Sequence, residues 1–142
     1  MVFDREVELE ETAIPFLNRY CSIYTWRVPL YNRVVDLAAI DKDGMLIGIE
    51  FKLRDWRRAI NQALVNSNSF DFIYVCLPGG RYLNKLKEKA KKHGIGVMLY
   101  DPEKKTVKVE LEAQRINRQW KPNMRYLKNY IKTRGEIGYQ EW

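Results

Sequence analysis

The sequence predicts an α/β fold in three layers, a central mixed β-sheet flanked by helices on both faces. Three observations lead there. Apolar runs of strand length, at residues 34–40, 45–52 and 70–77, are separated by stretches of helical period. Glycine and proline punctuate the joins at Gly44, Pro78-Gly79-Gly80, Gly94 and Asp101-Pro102. A length of 142 residues with 46% hydrophobic content suffices for one buried core without staples.

In chain order, residues 5–20 read as a helix and residues 23–29 as a strand. Strands follow at 34–40 and 45–52. Lys42, Asp43 and Gly44 join them as a three-residue hairpin loop, with Gly44 supplying the left-handed position. Asp55 begins a helix as its N-cap, and Trp56, Ala59, Ile60, Ala63 and Leu64 form the apolar stripe that packs on the sheet. Residues 70–77 make the next strand. A helix at 81–93 sets Leu83, Leu86 and Ala90 inward, leaves the lysines between 85 and 92 as a solvated face, and stops at Gly94. His93, the one histidine, precedes that stop and reads as a cap on the helix end rather than as a ligand or base. Closing strands lie at 94–100 and 106–111. Trp120, Met124, Leu127 and Ile131 then recur at helical spacing, so the tail reads as an amphipathic helix that docks on the body or on a second subunit.

Asp36, Glu50 and Lys52 interrupt the hairpin's apolar runs, where solubility alone would put no charge. If residues 41 and 45 pair across the loop, Asp36 stands opposite Glu50 on one face of the sheet. Lys52, two positions on, shares that face. Two carboxylates brought together in an apolar setting repel, and they take up either a proton or a cation. Oxygen ligands suit a hard ion, so Mg²⁺ is the expected cofactor and Mn²⁺ its substitute. Lys52 is then placed to hold or deprotonate a metal-bound water, or to offset charge on phosphoryl oxygens. A structural ion-pair network would draw on the same residues. Gln62 flanks the stripe of the following helix and reaches toward this site. Arg54, Arg57 and Arg58 crowd that helix's start, a seat for a nucleic-acid backbone or else a solvated basic edge.

The series Arg33-Val34-Val35-Asp36, Ile49-Glu50-Phe51-Lys52 and Asp55-Trp56-Arg57-Arg58-Ala59-Ile60-Asn61-Gln62-Ala63 resembles the PD-(D/E)XK nuclease superfamily, whose members include restriction endonucleases, junction resolvases and repair nucleases. The likeness extends through residues 71–77, 94–100 and 106–111, about the first 115 positions. It implies a restriction-endonuclease-like sandwich and Mg²⁺-dependent phosphodiester hydrolysis. Asp36, Glu50 and Phe51 would be the metal positions, Lys52 the catalytic lysine and Gln62 a helix-borne site residue. Val35 stands where the family motif often has proline. Many members also draw an acid from an N-terminal helix. Glu11 is the choice here because it shares a helix face with Val7 and Ile14, with Glu8 and Glu10 as rivals.

The net charge of +7 is unevenly spread, since positions 115–142 hold seven Lys/Arg and two Glu, a net +5. The expected division is a nuclease-like core over 1–114 and a basic helical extension of the same domain over 115–142. Trp120, Tyr126 and Tyr130 read as anchors of that extension, with stacking on unpaired bases as the alternative. Cys21 and Cys76 lack metal-ligand spacing and read as buried packing residues in a reducing cytoplasm. No run is long or apolar enough for a membrane span or secretory signal. The expected partner is nucleic acid, DNA ahead of RNA, with no membrane role. A homodimer is a candidate assembly because cutting both strands of a duplex calls for two sites. The alternative function is a noncatalytic nucleic-acid-binding or assembly module on the same fold.

Overall fold

The computed structural model describes residues 3–138. Helix α1 (Glu6–Tyr20) leads directly into β1 (Cys21–Leu30), followed by β2 (Arg33–Asp41), β3 (Leu46–Phe51) and α2 (Trp56–Asn66). A short 3-10 turn, Ser67–Ser69, precedes β4 (Phe72–Leu77), and α3 (Leu83–Lys92), β5 (Gly96–Asp101) and β6 (Thr106–Leu111) complete the middle of the chain. Helix α4 (Lys121–Arg134) and the two-residue β7 (Glu136–Ile137) end the described part. Positions 1–2 and 139–142 of the two spans expected above lie outside the described residues.

The strands form one sheet in the order β6-β5-β4-β3-β2-β1-β7. Strand β4 runs parallel to β3 and β5, because α2 and α3 carry the chain back across the sheet, while the other pairs are antiparallel. Leu9, Ala13 and Leu17 of α1 cover one face, packing with Leu37, Ile49, Phe51 and Met98. Ala59 and Ile60 of α2, Leu86 of α3 and Leu127 of α4 cover the other, with Phe70, Ile73 and Val75. The predicted mixed α/β sandwich is therefore the observed one. No helix among the described residues is long and apolar enough to cross a membrane.

The hairpin register follows the loop chemistry. Asp41 N–H donates to the Met45 carbonyl at 2.9 Å, Gly44 takes φ +82°, and the ladder from Ile40–Leu46 to Leu37–Ile49 makes Asp36 and Glu50 the next opposed couple. Gly48 is required for close packing, since a Cβ there would lie 3.0 Å from the Phe70 ring.

The β1–β2 pair changes layer midway. Tyr24 and Trp26 pack on the α1 side, as do Leu37 and Ala39 opposite them, whereas Val28, Leu30 and Val35 belong to the other core. Arg27 lies at the crossing with φ 55°, a left-handed conformation uncommon for a long side chain. Residues 26 and 28 still pair in register with 37 and 35, so Asp36 sits directly across from this kink.

The tail docks on its own chain through Met124, Leu127 and Ile131, but Trp120 is 54% exposed and does not join that stripe. Residues 112–120 form an extended connection held by Asp71. Its buried carboxylate accepts from Leu46 N–H at 2.9 Å and Gln119 Nε2 at 2.7 Å, and Arg115 lies 3.4 Å away. Strand β7 was not expected from the sequence. It adds two residues to the free edge of β1 at Ile23 and Tyr24.

Candidate active site

Glu50 and Asp36 come together at the end of the sheet where β2 and β3 meet. Glu50 is 2% exposed and Asp36 half-buried. Phe51 N–H donates to Asp36 Oδ2 at 2.8 Å, which fixes the aspartate against the strand carrying Glu50. Burial first, then the charge of Asp36 and a hydrogen bond with it, push the Glu50 carboxyl up to about 8. Asn66 at the end of α2 partly offsets this by donating to Glu50 Oε1 at 3.2 Å, and Arg33 Nε holds Asn66 Oδ1 at 2.9 Å.

Helix α1 brings a second acidic group to the same place. Glu10 is 5% exposed and receives Arg27 Nη2 at 2.6 Å, while Arg27 Nη1 donates to the Asp36 carbonyl at 3.4 Å. Burial raises the Glu10 pKa against the opposing pull of Arg27, and the charges of Asp36 and Glu6 add to the rise. Glu6, one turn earlier, lies 3.4 Å from Lys52 Nζ. Lys52 follows the last residue of β3, so strand alternation no longer dictates its direction, and its ammonium turns to α1. The layer crossing at Arg27 lets Asp36 face acids on both sides of the sheet.

The placement of the expected acid on α1 differs from the sequence reading. Glu11 is exposed, because the buried stripe is Leu9, Ala13 and Leu17 rather than one through Val7, which is itself 38% exposed. That stripe turns Glu6 and Glu10 to the site. Glu8 instead accepts from the Arg5 N–H at 2.8 Å and caps the helix start. The i, i+4 spacing of Glu6 and Glu10 beside the Leu9 stripe is the signal that identifies them. Asn66 and Arg27 carry no such signal, since a polar residue closing a helix and a charge within a strand have ordinary structural uses.

Gln62 lines a cavity of about 350 Å³ with Glu50, Arg33 and Arg58. Its Oε1 is buried and accepts no hydrogen bond from the described residues, leaving an acceptor for a water or substrate hydroxyl. Arg58 is exposed at the start of α2, where its N–H donates to Asp55 Oδ1 at 3.1 Å. Arg57 lies over the Trp56 ring at 4.4 Å, and Arg54 is exposed beside them.

The donor set fits a hard divalent ion on the chemistry of the acid pair. Burial and the neighbouring Asp36 charge disfavour the ionised form of Glu50, and a cation between the two carboxylates would relieve that repulsion. Phe51 has no ligating side chain and could contribute only through its main chain. Among the described residues no group of three or more His, Cys, Asp or Glu is arranged to hold a metal. A hard ion held by the two carboxylates would complete its shell with main-chain oxygen or water, as Mg²⁺ commonly does.

No family model matches the chain, and no curated protein does. Among solved structures it is similar to a protein of unknown function from Silicibacter pomeroyi, with TM-score 0.69 and 13% identity over 94% of this chain and 87% of the other, a likeness of fold alone. It also matches a repair endonuclease from Pyrococcus abyssi at TM-score 0.48 and 15% identity, over 72% of this chain and 49% of that one, too slight a likeness to bear on function.

Proposed function

We propose that this protein is a Mg²⁺-dependent nuclease that hydrolyses phosphodiester bonds, with DNA the preferred substrate. The observation that carries the reading is the buried Glu50 beside the half-buried Asp36 at a strand end, with Lys52 two residues on. Asp36, Glu50 and the Phe51 carbonyl hold the metal in this reading. When bound, Mg²⁺ supplies Lewis-acid polarisation of the phosphoryl oxygen and a more acidic water. Lys52, positioned by Glu6, orients the attacking water and offsets charge on the phosphoryl oxygens. Gln62 offers its free acceptor to that water or to the substrate. Arg54, Arg57 and Arg58 seat flanking phosphates, Arg57 pre-oriented on Trp56.

Incubation with supercoiled, linear, forked and four-way-junction DNA, and with single-stranded DNA and RNA, in Mg²⁺, Mn²⁺ or EDTA tests the assignment. Cleavage is expected only with metal. Asp36→Ala should abolish it, and Lys52→Ala should slow it by roughly 100-fold or more while binding persists. Salt-dependent binding that neither substitution alters, with no cutting on any substrate, would establish a noncatalytic nucleic-acid-binding module instead.

A further inference from the structure

The surface running from Glu50 along the end of α2 carries exposed apolar side chains among its arginines. Two shallow cavities adjoin along the end of α2 and share Val65. One, of about 350 Å³, is lined by Arg33, Val34 and Arg58, and the other, of about 410 Å³, by Asn68, Arg118 and Trp120. Val34, Val65 and Trp120 are each 54–56% exposed. The lone carboxylate lining either cavity is the buried Glu50, so this face presents arginines and apolar groups to solvent.

Two aromatic residues nearby are held at fixed backbone positions. Trp120 N–H donates to the Asn68 carbonyl at 2.7 Å and its own carbonyl accepts from Met124, which fixes the backbone while the ring stays in solvent. Tyr31 stands at the tip of the β1–β2 hairpin, two residues before Arg33. Its φ of 59° belongs to a turn position that favours glycine, asparagine or aspartate, yet its ring is 74% exposed, so packing does not offset the strain. The hydroxyl donates to Asn123 Oδ1 at 2.7 Å, and buried Asn123 donates to Ser69 Oγ at 3.0 Å. An exposed ring kept in a strained conformation by a buried relay points to a use for the ring.

We infer that this face seats an unpaired nucleic-acid strand, with Tyr31 and Trp120 stacking on bases and Arg33, Arg58 and Arg118 meeting phosphates. Stacking requires open base faces, which a duplex conceals, whereas every unpaired base offers one. Arg33 is pre-oriented by its bond to Asn66. The strand's path into the Asp36–Glu50 site rests on the nuclease reading; the binding does not.

The test measures binding of the whole chain in EDTA to labelled single-stranded DNA, single-stranded RNA and a DNA duplex of one sequence. At least one single strand should bind about tenfold or more tightly than the duplex, and the two single-strand arms identify the sugar. Trp120→Ala and Tyr31→Gly should each weaken single-strand binding by roughly tenfold. Tyr31→Gly relieves the turn strain but leaves buried Asn123 Oδ1 without its donor, so its melting temperature is measured alongside and binding is compared where both proteins are folded. Tyr20→Ala, removing a ring 50% exposed on α1, should change affinity less than twofold. Equal or tighter duplex binding, or single-strand binding that neither substitution weakens, overturns the inference. Adding Mg²⁺ to the same mixtures separates the two readings: duplex cleavage would leave the nuclease standing without this surface, and single-strand binding without cleavage would do the reverse.

Discussion

Glu50 is a carboxyl folded into a place that resists its charge. Its folded-state pKa of about 8 lies above the ordinary carboxylate value, so folding takes up a proton between those two pH values. Stability from the protonated acid is full below the ordinary carboxylate value and is lost as pH rises through about 8. Each pKa unit is worth about 1.4 kcal/mol, so the loss is on the order of a few kcal/mol. In EDTA the melting temperature should therefore fall from pH 5 to pH 9, and Glu50→Gln should flatten that fall and raise the melting temperature at pH 8. Mg²⁺ should stabilise the native protein more at pH 8 than at pH 5.5, and chelation should reverse this. A flat pH profile in the native protein would contradict the buried-acid account. Asp36 and Glu50 were legible in the sequence because charges inside apolar runs are conspicuous. Asn66 was not, since its value comes from a contact made 16 residues away.

At the scale of elements, the hairpin was legible to the residue because a two-residue side-chain period leaves few registers open once the loop is known. Helix α1 was legible as a helix but not in its rotation. Val7 and Ile14 suggest one inward face, whereas Leu9, Ala13 and Leu17 are the residues buried, and that difference moves the acidic side from Glu11 to Glu6 and Glu10. The connection 112–120 has no period to read, and its path is set by the Asp71 carboxylate together with main-chain bonds from Gln114, Ile116 and Trp120. Removing that carboxylate strands the Leu46 N–H and frees Gln119 and Arg115 together. Asp71→Ala should cost about 2–4 kcal/mol, seen as a lower urea midpoint, with Asp71→Asn milder because it keeps an acceptor. An unchanged midpoint would show that the connection is held elsewhere.

Across the whole molecule, the alternation of strands with α2 and α3 made a mixed sheet covered by helices legible, and the two crossovers run β4 parallel to β3 and β5 because each returns the chain in the same direction. The charge imbalance placed most of the basic excess in the tail, and α4 turns its apolar side to the core while leaving its basic residues outside. Neither β7 nor the layer crossing at Arg27 could be read, since two residues have no periodicity and a face exchange breaks the very alternation that pattern reading relies on. The candidate site lies where the layers meet, taking Glu6 and Glu10 from one side and Asn66 and Gln62 from the other.

Helix α1 passes into β1 at Tyr20 and Cys21 with no residue between, the Cys21 N–H still bonded to the Leu17 carbonyl. Helix and strand are thereby joined without slack: the rotation that aims Glu6 and Glu10 is tied to the path of the strand that carries Arg27. A single alanine inserted at this junction, unless the irregularity already present between Cys21 and Ile23 absorbs it, turns α1 by about 100° or inverts β1. Either adjustment parts Glu10 from Arg27, whereas the same insertion in the 102–105 turn leaves both untouched. Length variation should be better tolerated in that turn than at this seam.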